Sequence, residues 1–106
     1  MNKHCFVVIT SPLEGRDKEY NEWYNTQHLS DVLRLPGFIS AQRLKISSEN
    51  SAIPGKYLAL YQMETDDPEQ AVKNLFSKLG GPEMSVSEAV DMSSVSTLLC
   101  SVIAEA

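Results

Sequence analysis

The sequence predicts an α+β domain of element order βαββαβ: one antiparallel four-stranded sheet with two helices on one face, the ferredoxin-like arrangement. Three observations carry this expectation. Four segments are rich in β-branched and aromatic residues, two others carry helix start and stop signals (one of them with apolar residues at helical spacing), and Pro or Gly marks several of the joins. A chain of 106 residues has room for one core, so residues 1–106 are expected to form a single domain.

The elements follow in order. His4–Thr10 reads as the first strand, and Ser11-Pro12 with Gly15 forms the loop after it. Asp17 is the expected N-cap of the first helix, with Glu19 and Glu22 complementing its positive end. That helix runs to about Leu35, where Pro36 blocks continuation and Gly37 frees the backbone for a turn. Phe38–Ile46 is the second strand, Ser47–Gly55 a polar loop holding Pro54-Gly55, and Lys56–Glu64 the third strand. Asp67-Pro68, a capping residue before Pro at the first helical position, starts the second helix. It spans Pro68–Leu79, with Ala71, Val72, Leu75, Phe76 and Leu79 along one face. Gly80-Gly81-Pro82 ends it, Met84–Met92 is a short helical or irregular excursion, and Ser94–Ala104 is the last strand.

Composition narrows the function. The net charge is −5 and Lys and Arg are scattered, which argues against nucleic acid as a partner. No signal-peptide pattern or membrane-length apolar run is visible, so a cytoplasmic location without membrane contact is expected. Cys5 and Cys100 sit in apolar strand segments and read as buried thiols. No pair of Cys or His has zinc-ligand spacing, and nothing in the sequence calls for a metal or an organic cofactor.

The strands do not alternate cleanly. Cys5, Val7 and Ile9 oppose Phe6 and Val8; Tyr57, Ala59, Tyr61 and Met63 oppose Leu58 and Leu60; Leu98, Cys100 and Val102 oppose Val95, Leu99 and Ile103. Both sheet faces therefore call for burial, and two helices cover only one. A second copy packed on the free face, a homodimer, resolves this. The alternative is that Met84–Met92 folds over that face within one chain.

The richest segment runs from Trp23 to Phe38, WYNTQHLSDVLRLPGF. At about 100° per residue, Tyr24, His28 and Asp31 fall within roughly 60° of one another on the helix. Tyr20 and Leu35 share that side. Polar groups on a face that should be buried are either a hydrogen-bonded structural device or a site. As a site, His28 would be general acid or base, Asp31 would orient it, and Tyr24 would hydrogen-bond a substrate oxygen. Tyr20 and Trp23 would add aromatic wall. Arg43, opposite in facing to Gln42, would bind an anionic group or serve as a snorkelling or ion-paired edge residue. Tyr57 and Tyr61 share a face and would line the cavity or simply pack. Met84 and Met92 read as gap-fillers.

The run Tyr20–Leu33 (YNEWYNTQHLSDVL), followed by Leu35-Pro36-Gly37-Phe38, resembles the signature of the EthD-like proteins of the dimeric α+β barrel superfamily. Arg43 matches the Arg of their second strand, and Tyr57–Tyr61 fits their third. The resemblance implies a homodimer whose two sheets form a barrel, with a cleft between helices and sheet in each subunit. It transfers His28, and more loosely Trp23, Tyr24 and Asp31, to that cleft. Relatives include cofactor-free monooxygenases, lactone isomerases, dehydratase-like proteins and haem-degrading oxygenases. The haem-degrading type carries an Asn on its first strand; this strand has none, and Trp23 shares a helix with His28.

Two functions follow as expectations. One is a homodimer binding a small apolar, aromatic or polyketide-like molecule, acting as a cofactor-independent isomerase, dehydratase or monooxygenase through His28. The other is a non-catalytic binding or structural module whose dimer surface is its purpose.

Overall fold

The structure is a computed structural model that describes residues 2–48, 52 and 55–106. Its elements are β1 (Lys3–Pro12), α1 (Asp17–Trp23), a π-helical turn (Tyr24–His28), α2 (Leu29–Leu33), β2 (Phe38–Lys45), β3 (Tyr57–Glu64), α3 (Pro68–Lys78) and β4 (Val90–Ser101). The four strands form one sheet in the order β2-β3-β1-β4, with all neighbours antiparallel. This is the ferredoxin-like α+β fold.

The first helix is one rod from Asp17 to Leu33 with a wide turn inside it. The Leu29 amide donates to the Tyr24 carbonyl, an i→i+5 bond, instead of to Asn25. At its start the expected cap is displaced by one residue: Arg16 holds the N-cap position, Asp17 is already helical, and no side chain caps the end. At its far end the rod stops at Leu33, two residues short of the expected Leu35. Gly37 then turns the chain at φ +94°, and its carbonyl accepts from the Glu64 amide at 2.9 Å. The expected start of α3 holds: the Asp67 carboxylate accepts from the Gln70 amide at 3.1 Å and Pro68 is the first helical residue. β4 begins four residues earlier than expected, at Val90, and ends at Ser101. The expected Ser47–Gly55 loop, with Pro54, lies largely outside the described residues.

Register assigns each strand residue to a face. Phe6 opposes Tyr61 and Leu99, and Ala41 also opposes Tyr61. Phe6, Phe38, Tyr61 and Met63 form the helix-facing core with Tyr20, Tyr24, Val32, Ala71 and Leu75. Val7, Leu60, Leu98 and Gln42 occupy the opposite face, which neither helix covers. Residues 82–89 do not cover it either, contrary to the alternative above. Their Ser85 carbonyl accepts from Trp23 Nε1 at 3.2 Å and the Ser85 hydroxyl from Gln27 Nε2 at 2.8 Å, so the segment lies on the helix side, in an irregular path. Met84 fills a gap as expected and is buried, whereas Met92 is 68% exposed. The cysteines are not the buried thiols expected: Cys5 is half-buried and Cys100 exposed, because no helix among the described residues covers their face.

Gly37→Ala places a side chain at a left-handed backbone position, with its Cβ 3.4 Å from Ala71 Cβ and Thr65 Cβ. Urea unfolding is expected to show a loss of about 1–3 kcal/mol.

Candidate functional site

The wide turn sets the site. Both Tyr24 and His28, at its two ends, point into the interior, where Tyr24 is 3% and His28 8% exposed. Their rings meet edge to face at 5.1 Å. The Trp23 ring stacks on His28 at 4.5 Å with 21° between planes, and is held by its bond to Ser85.

A half-open cleft of about 190 Å³ lies between this turn, β1, β4, α3 and the 82–89 segment. Trp23, Tyr24 and His28 form one wall, Phe6, Val8 and Tyr61 the floor, and Phe76 and Met92 the exposed mouth. Among the described residues no Lys, Arg, Asp or Glu lines it. Phe76, expected on the packed face of the helix, is 50% exposed here because it borders this opening.

The polar groups divide in two. Of the expected site residues, Trp23, Tyr24, His28 and Tyr61 line the cleft. Tyr20, Arg43 and Tyr57 lie behind Tyr24 as a separate box. There the Arg43 guanidinium sits over the Tyr24 ring at 4.4 Å and over the Tyr20 and Tyr57 rings at 5.2 Å each. Its Nη1 donates to Asn25 Oδ1 at 2.8 Å, while its Nε and Nη2 are buried without a partner among the described residues. Arg43 is thus not an exposed snorkelling residue and has no ion-pair partner among the described residues, and Tyr24 stands between it and the cleft. The Tyr20 hydroxyl is hydrogen-bonded to the Thr10 hydroxyl, and Asn21 Nδ2 donates to Tyr57 Oη at 3.4 Å.

Asp31 is also buried, yet it opens on a different, polar cleft of about 480 Å³ with Arg34, Lys78 and Glu83. Its Oδ1 pairs with Arg34. Its Oδ2 and the His28 Nδ1 are both buried without a hydrogen-bond partner among the described residues. The expected arc assumed an unbroken α-helix. One extra residue in a turn sets later side chains back by up to about 100°, which carries Asp31 away from the wall that His28 shares with Tyr24.

Burial dominates the electrostatics. It lowers the His28 pKa from 6.5 to about 4, against the opposing pull of the Asp31 charge. His28 is therefore a neutral imidazole at pH 7. Burial first, and the neighbouring Tyr20, push the Tyr24 phenol up to about 12. Burial and Tyr24 raise Tyr61 further still. Both phenols stay protonated, and the Tyr61 hydroxyl is buried without a hydrogen-bond partner among the described residues.

Sequence reasoning missed the apolar half of the cleft. Its signal was present in the helix-facing alternation of Phe6 and Val8. Val90 and Met92 carried none, because they fall before the expected start of the last strand.

No protein-family model matches the chain, and no curated protein is significantly similar to it in sequence. Solved structures do share its fold. MhuD of Mycobacterium tuberculosis, a heme-degrader seen with two hemes in its active site, superposes with a TM-score of 0.67 at 17% identity, over 97% of this chain and 98% of that one. A Nitrosomonas europaea protein provisionally named an antibiotic biosynthesis monooxygenase gives 0.62 at 13% identity, over 96% and 91%. An EthD-family protein of Bacillus halodurans gives 0.56 at 10% identity, over 95% and 99%. At these identities the likeness is one of fold.

The His28 shift has a sign that unfolding can read. Between pH 6.5 and about 4 the unfolded chain binds a proton at this residue that the folded chain refuses. Its contribution is complete above pH 6.5 and is lost as the pH falls toward 4, a change of about 2–3 kcal/mol. Urea unfolding of wild type and His28→Gln at pH 7 and pH 4.5 should show a steeper loss for wild type by that amount.

Proposed function

We propose that the cleft beside His28 binds a small, uncharged, ring-shaped molecule, aromatic or polyketide-like. The observation that carries this reading is a preformed apolar cleft holding one neutral imidazole and no formal charge among its described lining residues. Ligand sites have this general form: apolar walls with a few polar groups. Drug-sized ligands occupy roughly 300–1,000 Å³, and an engineered apolar cavity of about 150 Å³ holds benzene. A cleft of about 190 Å³ thus suits one or two small rings. An anionic ligand is disfavoured, since Arg43 reaches the aromatic box and not the cleft.

If the protein turns its ligand over, His28 is the general acid or base. A neutral imidazole takes a proton from carbon next to a carbonyl, and negative charge developing on the substrate raises its proton affinity. Tyr24 and Tyr61 are the nearby donors for the substrate oxygen, and Asp31 supports the imidazolium through its charge. Isomerisation, dehydration and oxygenation through a substrate carbanion all begin this way, without a cofactor in the proton-transfer step. The fold shared with the EthD-family protein and the similarity of the Tyr20–Phe38 motif support an EthD-like reading. The misfit between the resting imidazole's low basicity and neutral pH favours the second reading, a binding module without turnover.

The same reading makes the chain a homodimer of the cytoplasm. Val7, Leu60 and Leu98 form an apolar stripe on the uncovered sheet face. The molecule is a slab of 42 × 35 × 20 Å. Its broad face is ample for the roughly 800 Å² per partner that a standard interface buries. A second copy related by a two-fold axis would bury both stripes at once.

Thermal-shift screening against aromatic ketones, lactones and the matching carboxylates tests binding. The neutral compounds should raise the melting temperature and the carboxylates should not; no shift from any neutral ring would remove the proposal. His28→Ala should stay folded and lose turnover of whichever compound binds. The wild-type rate should fall on the acid side near pH 4 and not near 6.5. Full activity in the variant would leave the binding module. Leu98→Asp should convert a dimer to a monomer by light scattering.

A further inference from the structure

Cys5 and Cys100 are direct partners in the β1–β4 ladder. They stand on the face that no helix covers, Cys5 half-buried and Cys100 exposed, and both are free thiols. The Val102 amide donates to the Lys3 carbonyl at 2.9 Å, which marks Lys3 and Val102 as a hydrogen-bonded pair. Pairs alternate along an antiparallel ladder, so Cys5 and Cys100, two residues on, form a hydrogen-bonded pair as well. Cα atoms of such a pair lie about 5.5 Å apart, inside the range of about 4.4–6.8 Å that a disulfide spans. Their Cβ atoms, at about 5.5 Å in a hydrogen-bonded pair, are wider than the mean of about 3.8 Å across a disulfide. The strands must draw together to close the bond, and a bond closed under strain is readily reduced.

The geometry points to Cys5 and Cys100 as a reversible cross-strand dithiol–disulfide site, oxidised by a low-molecular-weight disulfide of the glutathione type. Cys100, the more exposed, attacks first as its thiolate. It bonds to one sulfur of the oxidant and expels the other half as a thiol. Cys5 then gives up its proton and attacks the Cys100 sulfur, expelling the second thiol. The pair loses two electrons and two protons, and the oxidant becomes two thiols. The product joins residue 5 to residue 100 and so closes almost the whole chain into a loop, which restricts the unfolded state strongly. It also pins together the two strands whose other face floors the cleft, through Phe6 and Val8 of β1 and Val95 and Thr97 of β4. The assignment rests on strand pairing alone and needs neither a ligand nor a dimer.

The test treats the full-length chain with oxidised glutathione and follows intact mass, thiol count after denaturation and non-reducing electrophoresis. The expected product is a monomeric chain lighter by two hydrogens, with no free thiol, a higher melting temperature, and full reversal by dithiothreitol. Cys5→Ser, lacking the second nucleophile, should accumulate a glutathione adduct on Cys100. The same treatment of Leu98→Asp keeps the face open whatever the state of assembly, and reaction in that variant alone still supports the site. Both thiols surviving in both proteins, stable glutathione adducts on the wild type, or chains cross-linked to one another would each overturn it.

Discussion

A single i→i+5 hydrogen bond, from Leu29 to Tyr24, decides how the polar residues of this chain are distributed. Wide turns are rare within helices and are enriched at functional sites. Here the turn brings Tyr24 and His28 onto the same buried wall and rotates Asp31 off it. The aromatic contacts then lock the result. Trp23 lies flat on His28, and Tyr24 meets His28, Trp23 and Tyr20 by its edges or face. The 82–89 segment fastens to Trp23 and Gln27 through Ser85 and closes the outer side.

The consequence is a strict separation of charge from the cleft. Asp31 with Arg34 lies on one side of the rod, and Arg43 lies behind the Tyr24 ring. The imidazole is left among carbon atoms, which is why it stays neutral far below its ordinary pKa. A charged group placed in such a cleft would lose its water with no opposite charge among the described lining residues in exchange.

The sequence expresses the fold well and the site in part, and the reason is the range of each interaction. Strand and helix identity follow from local pattern: the β-branched and aromatic run in His4–Thr10, the Asp67-Pro68 start and the Pro36-Gly37 stop are all local. The inward direction of Tyr24 and His28 is local too. What was not legible depends on partners far along the chain or on a departure from ideal geometry. No residue type announces a wide turn, so Asp31 was read as the neighbour of His28 on an ideal helix. Arg43 lay on the correct face, but only the packing of Tyr20, Tyr24 and Tyr57 could show that its guanidinium sits among their rings, outside the cleft. Val90 and Met92 became strand because Ser11 and Pro12 extend β1 opposite Asp91 and Val90 past a bulge, a pairing set some eighty residues away.

The guanidinium enclosed by three phenol rings has an effect on chain threading. β2 is an edge strand, so its register is set against a single neighbour, β3. Slipping β2 by one residue would bring Gln42 beneath the rings and strand Arg43 on the apolar outer surface. Both placements forfeit the attraction between a cation and an aromatic face, and the amide cannot replace it. One misfit residue thereby acts as an index pin, admitting a single alignment of the second strand where apolar patterning on two greasy faces would tolerate others.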